Sequence, residues 1–129
     1  MRLFTLGYMA SGADEKLMQL IADPAFMLVD IRTSAFSRFR PAYRRDALVR
    51  RCGNQYLHVP QLGNVNYRDR DLPVVLADPS VGLPYVLCLL DSGYSVCLLC
   101  GCAHVQTCHR QVVSDLLLAR CSEVSVVHL

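Results

Sequence analysis

The sequence predicts one α/β domain over residues 1–129, a mainly parallel sheet of about five strands with helices on both faces, Rossmann-like in plan. Three observations lead there. The strand candidates "AFMLVDIR" and "YSVCLLC" are near-continuous apolar runs, as strands covered on both faces are, and not the apolar–polar alternation of a half-exposed sheet. Segments with helical periodicity separate the strand candidates almost throughout. The length, 129 residues with 53% hydrophobic side chains, suits a single well-filled core.

Taken in order, "RLFTLGY" is rich in β-formers and ends at Gly7, a first strand. In "SGADEKLMQLIADP", Ser11 is available as a cap, Asp14 and Glu15 suit a first turn, and Leu17, Leu20 and Ile21 share a face. Pro24 stops that helix. "AFMLVDIR" is the second strand, and "TSAFSRFRP" a loop. "AYRRDALVRRCG" is an amphipathic helix closed by Gly53, and "QYLHV" a short third strand. "VNYRDRDLPVVLADPS" has no period and is expected to be irregular. "GLPYVLCLLDSG" aligns Leu83, Leu87 and Leu90 on a helix, with Pro84 expected in its first turn. "YSVCLLC", "CHRQVVSDLLLARC" and "EVSVVHL" follow as strand, helix and strand, so the order is β-α-β-α-β-loop-α-β-α-β.

Composition narrows the function classes. Charged residues make up 19% of the chain, too few and too evenly spread for a disordered segment. No apolar run approaches the ~18 residues of a membrane span. The N-terminus lacks the pattern of a secretory signal, so a cytoplasmic protein is expected. On that expectation the seven cysteines are free thiols, and Cys88 and Cys97, inside apolar runs, act as small hydrophobes. Twelve of the thirteen basic residues are arginine, and Arg32, Arg38, Arg40, Arg44, Arg45, Arg50 and Arg51 crowd one stretch, which attracts anions.

In open α/β sheets ligands bind beyond the carboxyl ends of the strands. After the second strand come Asp30, Arg32, Ser37 and Arg38; after the fourth come Cys100, Cys102, His104, Cys108, His109 and Arg110. A helix beginning near Cys108 presents free N–H groups and a positive dipole end, which favour an anion and lower the pKa of a thiol. Cys108 or Cys100 is then the candidate nucleophile, His109 the acid/base, and Arg32, Arg38 and Arg110 the anion clamps, with Asp30 and Ser37 beside them. An internal Asp30–Arg32 brace is the plainer reading of that pair. His58, alone on a short strand, reads as a loop anchor. The eight-residue step from Cys102 to Arg110 is too long for a tight cysteine-phosphatase loop. The donors of "CGCAHVQTCH" include zinc-type ligands, but Cys-x-Cys in a strand sends alternate thiols to opposite faces, so no metal is assigned and no cofactor is expected.

"TLGY", "LVDIRTSAFSRFRPAY", "YLHVPQLGN" and "LLCGCAHVQTCHR" stand in an order and spacing that resemble the domain-of-unknown-function 488 family across nearly the whole chain. The resemblance implies an α/β fold with motifs at the strand ends and names no activity. The family pattern has an acid two places after the first motif cysteine, where this chain has Cys102.

The leading expectation is a strand-end Cys/His/Arg pocket for a phosphate-bearing or other anionic ligand, a small molecule or a nucleic-acid component, with cysteine or histidine chemistry if it is an enzyme. Asp30, Arg32, Cys100, Cys108, His109 and Arg110 are expected in one cleft. Two other classes are a nucleic-acid binding module using the Arg38–Arg51 face, and a thiol redox or zinc-binding protein. No membrane partner is expected, and the arginine-rich and apolar faces leave room for a homodimer.

Overall fold

The computed structural model describes residues 1–129. Its elements are β1 (Arg2–Gly7), α1 (Ala13–Ile21), β2 (Phe26–Asp30), α2 (Arg45–Cys52), β3 (Tyr56–His58), α3 (Pro79–Asp91), β4 (Ser95–Cys100), α4 (His109–Arg120) and β5 (Ser125–His128). The five strands form one sheet in the order β3-β2-β4-β1-β5, and every pairing is parallel. No helix is long and apolar enough to cross a membrane.

The central strands are the ones whose sequence runs apolar without alternation. β4 is buried at every position, because β1 and β2 flank it and helices cover both faces. On one face Leu6, Leu28 and Leu99 pack with Ala13 and Leu17 of α1 and Leu48 and Cys52 of α2. On the other, Leu3, Val29, Leu98 and Cys100 pack with Leu83, Val86 and Leu90 of α3 and Val113 and Leu117 of α4. Burying one such leucine is worth about 1.5–3 kcal/mol, so these two layers supply most of the driving force.

Three local expectations need correction. Gly12, at φ 78°, stands at the N-cap of α1 in place of Ser11, and no side chain caps that helix. α3 begins at Pro79, because Asp78-Pro79 is a helix start with proline in the first turn; Pro84 therefore falls in the second turn, where its ring removes the bond to the Ser80 carbonyl. Cys88 lies on the exposed side of α3, whereas Cys97 is buried.

The topology fixes where a site can form. From β1 the chain passes through α1 toward β2 and β3; from β4 it passes through α4 to the opposite edge, at β5. α1 and α4 lie on opposite faces, so the direction of winding reverses between β1 and β4, whose last residues Gly7 and Cys100 are paired. That is the switch point of a doubly wound sheet.

Candidate functional site

At the switch point the chain leaves β4 and turns back over the end of β1. Tyr8 N–H donates to the Cys100 carbonyl at 3.0 Å and Met9 N–H to the Gly101 carbonyl at 3.3 Å, which carries the ladder past the strand ends. The Cys102 carbonyl then presses on Gly7, where any Cβ would overlap it; glycine is required there for this approach. A single turn of 3₁₀ helix, Val105–Thr107, leads to Cys108, the N-cap residue of α4. No side chain caps α4, so the positive end of that helix faces the thiols.

Three thiols converge there. The sulfurs of Cys100, Cys102 and Cys108 all lie within 4.8 Å of one another, and Cys100 Sγ is 2.8 Å from Cys108 Sγ. Cys100 and Cys108 are buried, at 1% and 2% exposure, while Cys102 is at the surface. The expectation that Cys-x-Cys would split its thiols between faces does not hold, because β4 ends at Cys100 and Gly101 turns the chain out of the two-residue alternation.

His109 Nδ1 is 3.6 Å from Cys108 Sγ, and its Nε2 is 2.8 Å from the Ile31 carbonyl oxygen. A carbonyl only accepts, so Nε2–H donates to it, and Nδ1 is the nitrogen that faces the Cys108 sulfur. Arg110, 1% exposed, reaches back along the sheet, donating from Nη1 to Thr5 Oγ1 at 3.3 Å and from Nη2 to the Cys102 carbonyl at 3.1 Å. Its Nε–H has no partner, and it is in no salt bridge.

The sulfurs settle their protons unequally. Hydrogen bonds from the Cys100 and Cys102 thiols, assisted by His109, hold the Cys108 thiol far below its ordinary range against the opposing effect of burial. Burial first, then hydrogen bonds to the Cys102 and Cys108 sulfurs, push the Cys100 thiol well up. Burial works against the Arg110 charge, but the Cys100 and Cys108 sulfurs outweigh it and the guanidinium is held more firmly protonated. Cys108 is therefore the thiolate, Cys100 the proton-bearing neighbour and Arg110 the buried counter-charge.

The expected companions occupy the other face of the same edge. Asp30 points toward α1 and α2, as Leu28 does, and away from Cys100. Its carboxylate takes Arg32 Nε at 2.8 Å and Nη2 at 2.6 Å, and accepts the Tyr56 hydroxyl at 2.7 Å. Arg32 Nη2 also donates to the Tyr43 carbonyl at 2.7 Å, and Nη1 to Tyr8 Oη at 3.4 Å. Its guanidinium lies 5.2 Å from the Tyr8 ring, which stacks on Tyr43. The brace reading describes this pair: nearly every Arg32 donor is satisfied within the protein. The expected single cleft is thus two groups back to back, joined by the main chain at Ile31, with Cys100, Cys108, His109 and Arg110 in one and Asp30 and Arg32 in the other.

Ser37 is buried and accepts the Arg40 N–H at 3.1 Å, shaping its loop, while Arg38 is exposed over the Phe39 ring at 5.6 Å. His58 Nε2 is 2.7 Å from the Arg32 carbonyl, a loop anchor. Cys102 is the group that sequence reasoning left out of the site. Its signal was Gly101, which ends the strand alternation, and Gly7, which opens space for the Cys102 main chain.

Comparison with protein-family models, with curated proteins and with solved structures returns no match.

Proposed function

We propose that the protein carries out thiol–disulfide chemistry at the switch point of its sheet, cycling Cys100 and Cys108 between two thiols and a disulfide. The observation that carries this reading is the 2.8 Å separation of Cys100 Sγ and Cys108 Sγ, with Cys108 at the N-cap of α4. A disulfide bond of ~2.05 Å needs the sulfurs to close by less than 1 Å. The helix end and Arg110 favour the attacking thiolate.

Burial of Cys108 restricts the oxidant to a small one, of the hydroperoxide class. The Cys108 thiolate attacks the terminal peroxide oxygen, the O–O bond breaks, and the alkoxide takes a proton and leaves as alcohol. Cys100, deprotonated as it reacts, attacks the resulting sulfenic sulfur; the S–O bond breaks, hydroxide takes a proton and leaves as water, and the disulfide remains. Adding one equivalent of hydroperoxide to reduced protein, quenching in acid and mapping peptides tests this. The expected product is the Cys100–Cys108 disulfide, with Cys52 and Cys97 still reduced. A stable sulfinic acid on Cys108 beside an unmodified Cys100, or no reaction at either thiol, refutes it.

A second reading, nucleic-acid binding, has its own support. Phe36 and Phe39 are 56% and 75% exposed, and Arg44 and Arg38 lie over their rings at 4.5 and 5.6 Å. Phe36 and Arg44, with Arg45 and Arg50, rim a shallow depression beside α2, a basic and aromatic surface of the kind on which bases stack. Its test is single-strand binding whose affinity falls steeply with salt and is lost in Phe36→Ala/Arg44→Ala. The simple phosphate-clamp reading has less support, because Arg32 is spent on Asp30 and Arg110 keeps only Nε–H unused.

A further inference from the structure

We infer that the reduced thiols form a binding site for one soft, zinc-type divalent cation, with Cys100, Cys102 and Cys108 as sulfur ligands and His109 Nδ1 as the fourth donor. The inference goes beyond the disulfide chemistry and rests on that reading only for its regulatory consequence.

Three independent features point to it. The first is the sulfur geometry. Tetrahedral zinc with ~2.3 Å bonds sets its thiolates about 3.8 Å apart. The three sulfurs already lie within 4.8 Å, and Cys100 and Cys108 are 2.8 Å apart, so seating a cation parts that pair by about an ångström while keeping Cys102 in reach.

The second is the orientation of His109. A metal-bound imidazole almost always donates its other N–H to a carboxylate or a backbone carbonyl, which fixes ring and tautomer. His109 has part of that arrangement without a metal: Nε2 is fixed on the Ile31 carbonyl at 2.8 Å, and Nδ1 faces Cys108 Sγ at 3.6 Å but lies outside the 4.8 Å group of the three sulfurs, so it has to move closer to join them. His104, the other histidine of the motif, is exposed on the loop.

The third is charge. Three thiolates, one dication and a neutral imidazole sum to a single negative charge. Arg110 supplies one buried positive charge in the adjacent turn, with no carboxylate to neutralise it and Nε–H lacking an acceptor. Without a metal the Cys108 thiolate balances that charge, so loading the cation adds no net buried charge. Metal loading leaves the cluster and Arg110 together neutral. Cys102, the one ligand at the surface, gives the ion its route in.

The consequence is redox control of occupancy. When hydroperoxide accepts two electrons from the Cys100 and Cys108 thiolates and two protons from solvent, the products are the disulfide, alcohol and water. Two of the three sulfur ligands are gone, and the cation leaves to solvent.

The test is anaerobic titration of the reduced, untagged full chain with Cd²⁺ and with Co²⁺. The expected result is one equivalent bound, with a thiolate-to-metal charge-transfer band in Cd²⁺ and the visible spectrum of tetrahedral Co²⁺. Cys102→Ser, a surface change, is expected to weaken binding at least tenfold. His109→Gln is expected to keep the charge-transfer band and alter the Co²⁺ spectrum. Cys88→Ser, on the exposed side of α3, serves as the control and should titrate like the parent. Absence of a stoichiometric band, or parental affinity in Cys102→Ser, overturns the inference. The two readings fail separately. If peroxide forms the disulfide in protein that binds no cation, the metal inference falls alone; if one cation binds and no disulfide forms, the disulfide chemistry falls, and with it the redox control of occupancy.

Discussion

Gly7→Ala tests the placement of the whole thiol site with one methyl group. A Cβ at residue 7 overlaps the Cys102 carbonyl oxygen, and sits 2.8 Å from the Cys102 carbonyl carbon and 2.9 Å from Arg110 Nη2. Ordinary carbon contacts begin at about 3.5 Å, so the Cys102 main chain has to retreat by about an ångström or more. It has little freedom to do so, because the Met9–Gly101 ladder bond and the Arg110–Cys102 bond hold it on either side. Overpacking of this kind costs about 1–3 kcal/mol. Losing the guanidinium bond adds to it, since bonds to charged groups are worth about 1.5–3 kcal/mol. A total of about 2.5–6 kcal/mol corresponds to a Tm lowered by about 8–30 °C at this chain length. Gly93→Ala is the matched control: its φ is 94° and nothing lies within 4 Å of a new Cβ, so it carries backbone strain alone, about 1–2 kcal/mol, far from the thiols. Calorimetry and Cd²⁺ titration of both variants give the answer. Gly7→Ala should lose both stability and cation affinity, Gly93→Ala stability alone. A Gly7→Ala protein as stable as the parent, with undiminished affinity, refutes the close passage of Cys102 over β1.

The other expectations are independent of that site's packing or probe its protons. Asp30→Asn leaves Arg32 buried without its carboxylate and should cost about 3–5 kcal/mol in urea unfolding; Tyr56→Phe, which removes only the 2.7 Å hydroxyl bond to Asp30, should cost about 1–3 kcal/mol. A loss under about 0.5 kcal/mol in Asp30→Asn would contradict the brace. Cys100→Ala removes the strongest support of the Cys108 thiolate, so ultraviolet thiolate absorbance should titrate at a higher pH than in the parent, moving toward the ordinary ~8.5. Stability should peak near that ordinary thiol value. Below it the unfolded chain holds the Cys108 proton that the folded chain has shed, so stability falls as pH falls. Above it the folded chain keeps the Cys100 proton that the unfolded chain loses, so stability falls as pH rises. Urea midpoints measured from about pH 6 to 10 check this, and a profile that rises or falls steadily across that window contradicts it.

Much of the fold is legible in the residues, and the reason is physical. A strand covered on both faces has to be apolar at successive positions, so "FMLVD" and "SVCLLC" announce themselves, and the helices between them carry their own period. The start of α3 was hidden because Asp78-Pro79 serves a loop and a helix start equally well. At the site, the reach of Cys108, His109 and Arg110 follows from their place at a helix start after a strand. The separation of Asp30 from Cys100 was in the alternation, since each shares a face with the residue two before it, but listing strand-end residues together discards that information. The position of Cys102 was not legible locally. It depends on a missing side chain at Gly7, in a strand that comes from the far end of the chain.

β1 has consequences for assembly as well. It lies between β4 and β5, so the strand made first pairs only with strands made near the end. Contacts that span nearly a whole chain form slowly, because the loop must close before any pairing repays it. During synthesis β1 emerges as an unpaired apolar strand, and it stays so until Ser95–Cys100 follows it. The first half of the chain, β1 through β3, holds only the β2–β3 part of the sheet by itself. Gly7 meets the Cys102 turn only after β4 docks, and Cys108 joins it with α4. The thiol centre therefore comes together late, with only β5 still to dock, and a chain stalled before residue 108 exposes Cys100 and Cys102 without their partner. Nascent chains arrested on either side of that point should differ sharply in how readily those two thiols are alkylated.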